Sequence, residues 1–197
     1  MSKQSLVAIT VAAALAVTGI GFTAYAMTNK GSNSSQVDNA SQFDTSFKSA
    51  TTTFNDKLAS TLAIANSTSG NTAAVAEFQA AYDSEKSTFD TLVASAQAEF
   101  DAAISSAART AESKDQFIAA FSSARDNYFN KLNQAKDKFS DRINNLGGSQ
   151  EAKNQFHNSF NAALGEYGNT LEAAKNAFAD RVNNGQVGPP ATSVIAQ

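Results

Sequence analysis

His157 is the only imidazole in the chain, so it is the first residue to weigh for chemistry. An imidazole can work as a general base or as a metal ligand, but neither role is played alone. A base needs a nucleophile within reach and a third group to orient it, and a zinc site needs two or three further ligands. The chain has no cysteine, which removes thiol nucleophiles, disulfides, iron–sulfur clusters, attached haem and thiolate zinc sites. No Glu-x-x-His run is present, so a di-iron carboxylate bundle is not supported. The many serines and threonines stand in no G-x-S-x-G context, and neither a P-loop nor a G-x-G-x-x-G cradle occurs. No residue is therefore assigned a catalytic, cofactor-binding or metal-binding role, no cofactor is implied, and the chain reads as a non-enzyme.

Whether any side chain can act depends on the elements that carry it, and here the sequence is regular. Aligning Phe78, Phe117 and Phe156 reveals a 39-residue repeat, with a shorter unit starting at Phe43. Within each unit large apolar residues alternate at spacings of four and seven. Unit two has Phe78, Tyr82, Phe89, Val93, Phe100 and Ile104. Unit three has Phe117, Phe121, Tyr128, Leu132, Phe139 and Ile143, and unit four has Phe156, Phe160, Tyr167, Leu171, Phe178 and Val182. Unit one keeps Phe43, Phe47, Phe54 and Leu58 and then drifts. An 11-residue period is three helical turns, so one face of one long helix carries nearly every aromatic. Small residues fill the gaps of seven, Ala50, Ala124 and Ala163 at one level and Ala96, Ala135 and Ala174 at another. Alternating large and small side chains lets facing helices interdigitate.

The lattice gives each candidate residue an address. His157 follows Phe156, about 100° round the helix at the stripe's edge, and its repeat equivalents are Gln79 and Ile118. The fold does not require a histidine there, which favours a boundary position over a site. Glu85 stands where the other units have alanine. A carboxylate facing a bundle interior would need a raised pKa or a cation, whereas one at the stripe margin reaches water.

Helix ends follow from punctuation. Asn71, Thr110 and Ser149 are N-cap types, Glu112 and Glu151 suit the positive end of the helix dipole, and Arg142 and Arg181 suit the negative end. Gly147 and Gly185 are placed to close helices. The joint at 105–113 has neither Gly nor Pro and is the least marked boundary. Asp44 and Lys48 have the spacing of an ion pair within one helix, and Gly165 and Gly168 mark a close crossing or a soft spot in the last helix.

The chain therefore reads as all-α. Its expected form is an antiparallel up-down four-helix bundle over 36–184, with units at about 36–70, 71–109, 110–148 and 149–184. An open one-helix-per-repeat array or an oligomeric bundle is the alternative. Ahead of it, Leu6 to Met27 are 22 uncharged residues preceded by Lys3, long enough at roughly 33 Å to cross a bilayer core. Ala24-Tyr25-Ala26 offers an A-x-A exit for signal peptidase. Cleavage after Ala26 and retention as a single N-terminal anchor (1–26) both fit, and either places the remainder outside the cytoplasm. Residues 27–35 read as a flexible linker. Residues 185–197, which carry both prolines, read as a disordered tail.

With a net charge of −3, the chain lacks the basic footprint of a nucleic-acid binder. The expectation is a noncatalytic exported helical-bundle protein, a structural or interaction module of the cell envelope or surface with an unidentified envelope partner. The alternative is a membrane-active or lipid-binding protein, since 11-residue amphipathic repeats also serve helices on lipid surfaces. Membrane contact through 6–27 is expected if the leader stays in place. Oligomeric state is left open.

Overall fold

The computed structural model describes residues 34–67, 71–105 and 110–184. The leader, most of the linker and the tail lie outside them. The described residues form four helices, α1 (Ser34–Asn66), α2 (Thr72–Ser105), α3 (Thr110–Asn145) and α4 (Gln150–Asn183), and contain no strand. The helices run 33 to 36 residues, about 50 Å each at 1.5 Å per residue. Ser34 and Ser35, read as linker from their composition, belong to the first turn of α1.

Polar Ser, Thr and Asn are indifferent helix formers, so these helices depend on the face they bury. All fifteen lattice Phe and Tyr residues are buried, from Phe43 to Phe178, and so are the six alanines between them. Unit one drifts in residue type more than in position. Thr61 takes the level of Ala96, Ala135 and Ala174, and Ala65 takes the level of a Phe, and both are buried. The Thr61 hydroxyl is tolerated there because it donates to the carbonyl of Lys57 at 2.8 Å.

Ring contacts define how the helices lie. At one end Phe43 of α1 meets Phe117 of α3 and Phe178 of α4, at 5.1 and 5.8 Å between centroids, and Phe100 of α2 lies 4.8 Å from Phe178. At the other end Phe78 of α2 meets Phe139 of α3 and Phe156 of α4 at 5.9 and 5.2 Å. The starts of α1 and α3 thus gather with the finishes of α2 and α4. Midway, Phe54 stacks on Tyr167 at 4.7 Å and 8°, and Phe89 stacks on Tyr128 at 4.6 Å and 4°. These two stacks join α1 to α4 and α2 to α3, the pairs that pack most closely, while among the neighbouring pairs α1 and α2 touch least.

The turns are built from the expected residues, with one correction. Gly147 adopts φ +66°, its N–H bonds to Asn144 O at 3.2 Å, and Gly148 N–H bonds to Ile143 O at 2.9 Å. This closure satisfies two terminal carbonyls of α3. Ser149 caps α4, its hydroxyl accepting from Ala152 N at 3.3 Å. Asn71 differs from expectation: its carbonyl accepts from Val75 N, but its side chain turns back and donates to Ala65 O at 3.1 Å. It serves the end of α1 because the short connection brings that end's orphan carbonyls against it. Thr110 starts α3, but its side chain lies outside the described set, as does Gly185, and Asn184 closes α4 by bonding to Asp180 O at 3.0 Å. Phe100 reaches Phe117 at 5.9 Å, so α2 and α3 fold back on one another across the unmarked joint.

Candidate functional site

His157 sits half-buried on α4, facing α3. Its Nε2 is hydrogen-bonded to Ser140 Oγ, a pairing that sequence spacing did not reveal because the residues lie on different helices. A serine beside an imidazole invites a nucleophile reading, but the protons argue otherwise. The Ser140 hydroxyl donates to the carbonyl of Lys136 at 3.0 Å, so it accepts from the imidazole Nε2–H. The imidazole then holds the serine as a donor and does not take its proton. Burial lowers the His157 pKa, and Lys136 and Lys153 lower it further against the opposing pull of Asp137. The ring is therefore neutral at pH 7.

Around it, Ser140, Lys153, Asn154, His157, Asn158 and Asn161 line an open depression of about 480 Å³ between α3 and α4. Lys136 borders it, with Nζ bonded to the side-chain oxygens of Asn133 and Asn161 at 3.0 and 3.1 Å. Every lining residue has a polar side chain, and none is Phe or Tyr.

A second polar group lies inside the bundle. Tyr128 hydrogen-bonds to Tyr82, Tyr82 OH donates to Asn55 Oδ1, and Tyr167 OH shares a 3.0 Å bond with Thr51 Oγ1. Burial pushes all three phenols well above their ordinary pKa, with the hydrogen bonds to Tyr82 and Tyr167 offsetting part of the rise. They remain protonated across any physiological pH and can donate, which suits them to holding a layer of the core in place. The sequence did carry a signal for this layer. Three lattice positions have Tyr in place of Phe, and a buried hydroxyl needs a partner. Asn55 and Thr51 could not be found that way, since neither belongs to the apolar pattern.

Glu85 is half-buried, whereas Ala50, Ala124 and Ala163 at the same repeat level are buried. It therefore lies at the stripe margin. Among the described residues no group of three His, Asp or Glu side chains could hold a metal ion. No helix among them is long and apolar enough to cross a membrane. No family model, curated protein or solved structure matches the chain.

Proposed function

We propose that the protein is an exported, noncatalytic helical-bundle module of the cell envelope or cell surface, acting as a spacer or as a platform for an envelope partner. In this reading one helical unit, repeated at 39 residues, folds into an antiparallel up-down bundle. The observation that carries the proposal is the enclosure of all fifteen lattice aromatics between the helices. The apolar surface is spent on self-association, and the faces left to solvent are Ser-, Thr- and Asn-rich. The end-to-end ring contacts support the up-down order, and the uncharged run from Leu6 to Met27 supports export.

The alternative, a lipid-binding protein, would have to turn the same rings outward. A buried aromatic contributes about 2–3 kcal/mol where it lies, and the chain has more acidic than basic residues to offer an anionic surface. Fractionation of cells expressing the full chain with a C-terminal tag tests the proposal. Protease added to intact spheroplasts is expected to reach the bundle, and the N-terminus is expected either at Met27 or intact. A chain recovered whole in the cytoplasmic fraction refutes export, and flotation with neutral vesicles after leader removal favours the lipid reading.

A further inference from the structure

One strip of unit four differs from its siblings at every position but Lys153, which unit three matches with Lys114. Where unit two has Val75, Ala76, Gln79, Ala80 and Asp83, and unit three has Lys114, Asp115, Ile118, Ala119 and Ser122, unit four has Lys153, Asn154, His157, Asn158 and Asn161. The core makes no demand for this change, because Phe78 and Tyr82, Phe117 and Phe121, and Phe156 and Phe160 are buried alike on their three helices. The altered strip is the α4 wall of the depression between α3 and α4.

The charges there are arranged unlike those at three other cross-helix contacts, one of them farther along the same α3–α4 seam. Lys57, Arg125 and Arg142 each meet a carboxylate across a seam, Glu166, Glu172 and Glu77 respectively. Lys136 rests instead on two asparagine oxygens, and Lys153 rests on Asn144 Oδ1 at 3.1 Å. An amide oxygen satisfies a hydrogen bond and leaves the positive charge in place. Two ammonium groups held on amide oxygens therefore border a depression where three carboxamides can donate, while the Ser140 O–H is engaged by Lys136 O and the imidazole N–H by Ser140. Asp137 on α3 is the one carboxylate acting on His157, and Lys136 and Lys153 are the cations acting on it.

Donors approaching from two helices suit a ligand with oxygens pointing in several directions, and a planar carboxylate would leave some of them idle. We propose that the α3–α4 groove binds the phosphate group of a phosphate ester or diester between Lys136 and Lys153, with the carboxamide N–H groups of Asn154, Asn158 and Asn161 donating to its oxygens beside the His157 ring. The inference stands apart from the question of export, since it concerns only the groove.

Because His157 is the only histidine, its ring C–H resonance reports on the groove alone. The full chain, in a non-ionic detergent, is titrated with inorganic phosphate, with dimethyl phosphate, and with chloride at matched ionic strength. A saturable shift of the His157 signal with phosphate probes, and a raised imidazole pKa in the complex, are expected. Tighter binding of dimethyl phosphate points to a diester ligand, and tighter binding of inorganic phosphate to a free monoester. Lys136→Gln with Lys153→Gln is expected to weaken binding at least tenfold. Lys131→Gln with Lys138→Gln, on the exposed face of α3, removes the same charge and is expected to change it less than twofold. Equal weakening by the two pairs, a shift matched by chloride, or no saturation overturns the proposal. Thermal melts of both pairs confirm that the fold is intact.

Discussion

Replacing Tyr82 with phenylalanine removes one oxygen and breaks two bonds. Tyr82 is fully buried and Asn55 is 7% exposed, so water cannot replace what is lost. Asn55 Oδ1 loses its donor, and the Tyr128 hydroxyl loses its acceptor. An orphaned buried polar group costs about 1–3 kcal/mol, so Tyr82→Phe is expected to destabilise by about 2–4 kcal/mol. For a chain of this size each kcal/mol lowers the melting temperature by about 2–4 °C, which gives a drop of roughly 5–15 °C. Tyr167→Phe breaks one part-buried bond and is expected to cost only about 1 kcal/mol. The decisive comparison is rescue. Adding Asn55→Leu to Tyr82→Phe removes one orphan and is expected to recover about half the loss, and adding Tyr128→Phe recovers most of the remainder. Circular dichroism melts and urea titrations measure all four variants. A Tyr82→Phe cost below about 0.5 kcal/mol, or one that Asn55→Leu leaves unchanged, refutes the orphaned-group argument.

Glycine substitutions should separate three situations. A Cβ on Gly165 would meet nothing within 4 Å, so Gly165→Ala is expected to stabilise α4 by up to about 1 kcal/mol. A Cβ on Gly168 would sit 2.9 Å from the Phe129 ring, so Gly168→Ala should forfeit that gain or destabilise. Gly148→Ala is expected to cost about 1–3 kcal/mol, since the added carbon would lie 2.4 Å from Asn71 Oδ1 and 2.8 Å from Ile143 Cγ2. Urea midpoints rank all three. The folded-state pKa of His157 lies below its ordinary 6.5, so the unfolded chain takes up the proton first. The histidine's contribution is therefore complete above pH 6.5 and declines as pH falls from there toward the folded value. His157→Gln, which installs the residue found at the same level of α2, should be less sensitive between pH 7 and 5 than the parent when melts are compared. Ser149→Ala, which removes the cap of α4, is expected to cost about 1 kcal/mol.

What could be read from the sequence and what could not divide along a physical line. The 4-7 spacing locates every buried ring, because helical geometry converts sequence distance directly into a direction around the axis. Gly147 and Ser149 were readable for the same local reason, as was the Asp44–Lys48 pair, which closes at 2.6 Å. Gly168 was ambiguous until Phe129, the one Phe or Tyr after the leader that is off the lattice, was found lying over it. Contacts between helices depend on register and rotation, which no local pattern encodes. For that reason Ser140 beside His157, Asn55 beneath Tyr82 and the return of Asn71 to Ala65 all required the folded chain. The groove between α3 and α4 belongs to this second kind, although the departure of unit four from its siblings was visible in the aligned repeats.

The central claim is that four rods fold back on one another with their ends in register, and the absence of cysteine makes it directly testable. Arg142 Nε lies 3.0 Å from Glu77 Oε1, and Lys114 Nζ lies 2.7 Å from Asn183 Oδ1. These pairs mark opposite ends of the bundle. Cysteines placed at 77 and 142, or at 114 and 183, should be joined within one chain by a short bismaleimide, while cysteines at 77 and 114 should stay unlinked. Linkage of 77 to 114, or linkage of the first two pairs only between separate chains, would contradict the account.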